Sequence, residues 1–183
     1  MVKMLSSHIL ILTLGASVVP LVDAGLFYDL SGGSAGLLSP CSMHSLTGVF
    51  VEERASLYEP DTDGLVLVSK YTDDLGCLQT PEFVQVHRNF TFRVRAFLPR
   101  PVEVLNPVPI FYAYLWNEQE GLIPLAYHMG PTADGWVEWQ QQVPHYLHYP
   151  QMFKVEIRSD LYTASYVAIR WFGLSDEQLP PLI

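Results

Sequence analysis

Between Phe90 and Ala96 every second residue is apolar, with Phe90, Phe92, Val94 and Ala96 on one side and Asn89, Thr91, Arg93 and Arg95 on the other. A period of two is the signature of a strand with one face packed and one face wet. "MFKVEIRS" repeats the pattern, with Phe153, Val155 and Ile157 inward and Lys154, Glu156 and Arg158 outward. Further strands are predicted in "LTGVFVEERA", in "GLVLVSKY" after the Asp63-Gly64 turn, and in "IFYAYLWNE" from Ile110 to Glu118. "GLIPLAYHM" follows Gly121, and its Pro124 moves it towards a sheet edge. "GWVEWQQQVP" and "SYVAIRWFGL" complete a set of about eight strands separated by turn residues, with almost no sustained helical periodicity. The expected fold is all-β: a single-domain antiparallel sandwich or jelly roll, each sheet wet on one face. The segment 25–47, opening "GLFYDLSGGSAGLLSP", is glycine- and serine-rich and reads as irregular. The stretch 175–183, "SDEQLPPLI", reads as a flexible C-terminal tail.

The start of the chain has a different pattern. Lys3 precedes an apolar run from Ile9 to Val22, and "VDA" ends at Ala24. A charged start, a short apolar core and a small exit residue describe a signal peptide over 1–24, cleaved before Gly25. An uncleaved anchor is the competing reading, although Pro20 interrupts the run and its length is short for a span. No second long apolar run follows, so no transmembrane helix is expected. Export gives meaning to Asn89-Phe90-Thr91, an N-glycosylation signal on the wet face of its strand.

Charge narrows the partners. The net charge is −9, and an acidic, lysine-poor surface argues against nucleic acid and anionic membrane. The two cysteines, Cys41 and Cys77, are expected to pair in an oxidising compartment, with two buried free thiols as the alternative. Closing the loop between them would contribute roughly 3–4 kcal/mol in the chain-entropy picture.

Several patterns resemble catalytic or metal motifs and fail on their context. "GGSAG", with Ser34, fits G-x-S-x-G, but Pro40 follows closely and the chain lacks the strand–helix scaffold of a nucleophile elbow. In "EPDTDG", Glu59, Asp61 and Asp63 occupy alternating calcium-ligand positions, yet the twelfth position is Lys70, so Asp61 and Asp63 are weak metal candidates in a hairpin turn. His145 and His148 lie three apart in "HYLH", with His44, His87 and His128 scattered elsewhere, which favours an exposed aromatic loop over zinc. No carboxylate pair stands out as a catalytic dyad. No cofactor and no catalytic residue is expected.

From about Gly48 to Leu174 the order of "DTDGLVLV", "GCLQTPEF", "NFTFRVRAF", "IFYAYLWNE", "GWVEWQQQVP" and "FKVEIRSDLYTASYVAIRWFGL" resembles a MAM domain, the extracellular module of meprins and receptor tyrosine phosphatases. The resembling region is taken as 48–174. The resemblance implies a jelly-roll sandwich used for adhesion or assembly, without catalysis. This chain departs from the pattern in having two cysteines where the family usually has four, and Arg170 and Trp171 where paired acidic residues usually stand. A cation site is not carried over.

The expected function is a secreted, extracellular, non-enzymatic interaction or adhesion module. It would bind a protein partner, a second copy of itself included, through a sheet face or loop end. The alternative is a carbohydrate-binding module. Aromatic residues form 13% of the chain, and most are expected in the core. Trp116, Trp136 and Trp139 are the candidate binding aromatics, with Trp136 and Trp139 expected to face opposite ways along their strand.

Overall fold

The computed structural model describes residues 25–33, 41, 50–60, 62–70, 76–99, 108–132, 135–161 and 166–176. The leader 1–24, Ser34, Asp61 and the tail beyond Asp176 lie outside them.

The described residues form two antiparallel sheets. The six-stranded sheet contains β1 (Leu26–Asp29), β2 (Phe50–Arg54), β3 (Leu65–Lys70), β6 (Thr91–Phe97), β9 (Val137–Gln142) and β11 (Tyr166–Ser175). Its order is β2-β3-β11-β6-β9, and β1 continues along the same side of β11 as β3. The five-stranded sheet contains β4 (Gly76–Gln79), β5 (Val84–Val86), β7 (Ile110–Asn117), β8 (Gly121–Met129) and β10 (Gln151–Asp160). Its order is β4-β10-β7-β8, with β5 continuing the line of β4 along β10. This is the antiparallel sandwich that the alternation predicts.

The core is the space between the sheets. Phe90, Phe92, Val94 and Ala96 all face it, as do Phe153, Val155 and Ile157, and all are buried. Pro124 sits on β8, an edge strand, as expected of a residue without a backbone N–H.

The central strand β11 shows why alternation alone misleads. Val167 and Ile169 point into the core, and so do Phe172 and Leu174. The phase changes because Arg170 is an extra residue in a bulge opposite β6. Arg170 donates to the backbone carbonyls of Leu65 and Asp63 at 3.2 and 2.8 Å, which holds the bulge against β3 and its preceding turn. A second bulge, at Leu125, resets β8 against β7.

Three expectations need correction. The start of the segment read as irregular forms β1, which pairs with β11 and buries Tyr28 and adds Leu30 just beyond it to the core. Gly25 is needed there: its φ is 107°, and a Cβ would lie 1.9 Å from the Leu174 carbonyl oxygen. The sandwich therefore begins at Leu26 and not near Gly48. Second, "GCLQTPEF" and the residues after it contain β4 and β5, which are too short and too interrupted to register as alternation. Third, Glu156 lies on the outward side of β10 yet is only 1% exposed, because Arg158 and Gln79 close over its carboxylate.

Cys41 and Cys77 form a disulfide with a Cα–Cα distance of 5.7 Å, tying the N-terminal segment to β4.

Candidate binding face

The two sheets differ on their outer faces. Over the six-stranded sheet, Ala55, Val66, Val68 and Ala168 form a second small buried cluster. Tyr58, Phe97, Trp136 and Tyr166 cover it. The 3-10 turn Ala55–Leu57 begins this cover, anchored by the Ala55 amide on the Gly64 carbonyl. Tyr58 packs edge-on against Tyr166 and donates to Glu53, and burial first, then this bond to a carboxylate, push its phenol pKa well up. Arg95 reaches Glu59 at 3.4 Å across the same face.

The outer face of the five-stranded sheet carries aromatic residues too, half-buried at Tyr112 and Tyr114 and exposed at Tyr127. Tyr112 and Tyr114 alternate with the core residues of β7, so both point outward. Their rings lie nearly parallel, 6.1 Å apart, and Tyr127 on β8 continues the row 6.2 Å from Tyr112. Tyr127 is 66% exposed. Met129, Met152 and Phe83 border the row and are also exposed. The cations are built in: the Arg158 guanidinium lies over the Tyr114 ring and the Lys154 ammonium over Phe83, each 5.2 Å from the ring centre. Arg158 is itself fixed by Glu156 at 2.5 Å. A buried carboxylate thus orients a cation beneath an aromatic row.

Of the candidate tryptophans, Trp116 is buried to 8% exposure beside Phe83, so its ring is largely withdrawn from solvent. Trp136 packs on the covered outer face, against Phe97. Trp139 turns the other way, towards the core, where it meets Phe111 and stacks on His128 with ring centres 4.0 Å apart. The three tryptophans therefore do not form one site. Tyr112 and Tyr114 stand two apart within "FYAYLW", and that period of two is the sequence signal that puts both on one face. Tyr127 joins them only through the bulge at Leu125.

Asn89 is exposed in the turn closed by the Phe90 amide on the His87 carbonyl, so the sequon is accessible. Asp63 is exposed, and its backbone carbonyl is occupied by Arg170. His145 and His148 are exposed and join no group of three metal-ligating side chains among the described residues. The one such group found there is Cys41, Cys77 and Glu156. Both thiols are consumed by the disulfide and the carboxylate is held by Arg158, which leaves no ligand set for an ion. No helix among the described residues is long and apolar enough to cross a membrane.

The fold is similar to that of the cleaved adhesin domains of Lys-gingipain. The K1 domain from Porphyromonas gingivalis W83 matches with a TM-score of 0.58 and 10% identity, covering 84% of this chain and 99% of that domain. The K3 domain from the same organism gives 0.57 and 11%, covering 83% of this chain and 99% of the domain. The K2 domain gives 0.52 and 6%, covering 75% and 89%. Identities this low establish the shared sandwich and nothing about ligands. No family model and no curated protein matches the chain.

Proposed function

We propose that the chain is a secreted, non-enzymatic extracellular binding module whose protein partner docks on the outer face of the five-stranded sheet. The observation that carries this reading is the tyrosine row that ends in Tyr127, 66% exposed, bordered by exposed Met129 and Met152 and underlaid by Arg158. Tyrosine, arginine and methionine are the residue types enriched where proteins meet, because each offers apolar area together with a polar tip or an adaptable chain. The face also sits on a rigid strand framework, which lowers the entropy lost on docking. The leader pattern, the disulfide and the accessible sequon support an extracellular setting with a glycan on Asn89. The MAM-like order of strands in the sequence and the adhesin-domain fold both fit adhesion or assembly. The alternative of sugar binding through Trp116, Trp136 and Trp139 is disfavoured, since the first is buried, the second serves as cover and the third turns to the core against His128.

The test uses the full chain, expressed for export, with a photo-crosslinking amino acid at Tyr127 or at Leu57. Leu57 is 69% exposed and belongs to the turn over the opposite face. Irradiation in native extracellular fluid is expected to give one saturable protein adduct from position 127, competed by unlabelled chain, and none from position 57. A second copy of the chain in the adduct would identify the partner as itself. Equal labelling from both positions, or none from 127, would overturn the proposal. Recovery from the medium, with a mobility shift on glycosidase treatment lost in Asn89→Gln, checks the compartment separately.

A further inference from the structure

The lateral edges of the two sheets are not alike. β2 carries Glu52, Glu53 and Arg54 among its five residues. β8 holds Pro124 and the bulge at Leu125. The far edge of the same sheet is split between β4 and β5, of four and three residues. Charge, proline, bulges and shortness are the means by which proteins keep a sheet edge from pairing with another chain.

β9 has none of these beyond Glu138. Its ladder to β6 is regular along the whole strand, from Val137 opposite Ala96 to Gln142 opposite Thr91. Just past it the Val143 amide donates to the Phe90 carbonyl, which fixes the phase of the ladder. Val137, Trp139 and Gln141 bond to β6, while Glu138, Gln140 and Gln142 turn their N–H and C=O groups away from it. All three of these residues are exposed. Among the described residues, the group that reaches their outward row is the Gln141 side chain, which donates to the Gln142 carbonyl at 3.4 Å.

We propose that the β9 edge pairs antiparallel with the β9 edge of a second copy of the chain, independently of the tyrosine face. The strand is complementary to itself about a two-fold axis at Gln140. In that register Gln140 faces Gln140 of the other copy and Glu138 faces its Gln142, and each facing pair exchanges both N–H···O=C bonds. The side chains fit the same register. An amide both donates and accepts, so Gln140 is its own partner. Glu138 meets a neutral amide in place of a second carboxylate, and Arg95 stands beside it on β6. The net charge of −9 is therefore not concentrated where the copies meet. A foreign chain would have to offer an unpaired strand of matching sequence, whereas a second copy supplies one by symmetry. Pairing along one short strand buries less than the roughly 1,200 Å² at which stable interfaces begin, so the dimer is weak, with a Kd on the order of 100 μM.

Sedimentation equilibrium on the full secreted chain tests the edge, over concentrations from about 10 μM to about 1 mM, chosen to bracket that affinity. A reversible monomer–dimer equilibrium is expected. Gln140→Pro removes an N–H that points away from β6, which an edge strand tolerates, and is expected to weaken the dimer at least about tenfold with circular dichroism unchanged. Two substitutions at one position should act in opposite directions. Gln142→Lys faces Glu138 of the other copy and is expected to tighten the dimer about fivefold, while Gln142→Glu sets carboxylate against carboxylate and is expected to weaken it about fivefold. Leu57→Ser, which removes an exposed apolar side chain far from the edge, is expected to leave the equilibrium unchanged. A chain that stays monomeric to about 1 mM would overturn the proposal. So would a dimer that survives Gln140→Pro, or one that shifts the same way in both Gln142 variants. If the copies met through the tyrosine row instead, Tyr127→Ala would abolish the dimer and Gln140→Pro would not, and that result too would overturn edge pairing while leaving the docking face in place.

Discussion

The two outer faces of the sandwich are built from the same kinds of residue and pack them differently. On the six-stranded sheet, Tyr58, Phe97, Trp136 and Tyr166 lie over small residues, Ala55, Val66, Val68 and Ala168, and convert the outside of a sheet into a second core. On the five-stranded sheet, the row runs from half-buried Tyr114 and Tyr112 to exposed Tyr127, and a buried ion pair sits beneath it. Aromatic content alone does not distinguish a stabilising face from a binding one. What distinguishes them is the exposure of the rings themselves, with Tyr127 at 66% and Trp136 half-buried. Aromatics of the first kind should contribute to folding, and those of the second to recognition.

The sharpest test of this contrast attacks the floor of the open face. Arg158→Ala strands the Glu156 carboxylate, 1% exposed, without its cation, and is expected to cost about 3–5 kcal/mol in urea denaturation. A loss under about 1 kcal/mol would mean that the pair is better hydrated than its burial implies. Trp136→Ala on the covered face comes next. The indole is half-buried, so the expected loss is about 2 kcal/mol, below the roughly 3–5 kcal/mol of a fully buried tryptophan, with partner binding retained. If binding disappeared while stability held, the assignment of the faces would have to be reversed.

The contact of β8 with β9, where His128 stacks on Trp139, adds a pH dependence. Burial lowers the His128 pKa below its ordinary 6.5, so the unfolded chain takes up that proton first as pH falls. Stability from this group is therefore full above about pH 6.5 and is lost as pH drops through the lower folded value. Urea midpoints from pH 7.5 to 5 should decline less in His128→Phe than in the parent, and parallel profiles would show that the imidazole is not responsible. Glu59→Gln, which removes the partly exposed Arg95 pair of the covered face, should cost no more than about 1 kcal/mol. Smallest of all in stability is Tyr127→Ala, expected within about 0.5 kcal/mol of the parent by the same denaturation. Its effect should appear in affinity for the docked protein, measured by surface plasmon resonance, as a loss of at least about tenfold.

Much of the sandwich was legible in the chain because period-two alternation is a local signal with a direct physical cause. A strand with one packed face repeats every second residue, so "NFTFRVRAF" and "MFKVEIRS" revealed both their type and their buried side. Pro124 likewise marked an edge, since its missing N–H acts wherever it lies. β1, β4 and β5 were not legible: three or four residues carry too little periodicity, and what makes them strands is pairing with β11 and β10 far along the chain. The same holds for the sites. Sequence supplied the tyrosines and the histidine, but a bulge at Leu125 sets where Tyr127 and His128 point, and only the meeting of β8 with β9 brings His128 to Trp139. Local chemistry thus determined the class of fold, whereas cover, burial and cavities depend on contacts between residues distant in the chain, and those exist only once the two sheets have packed.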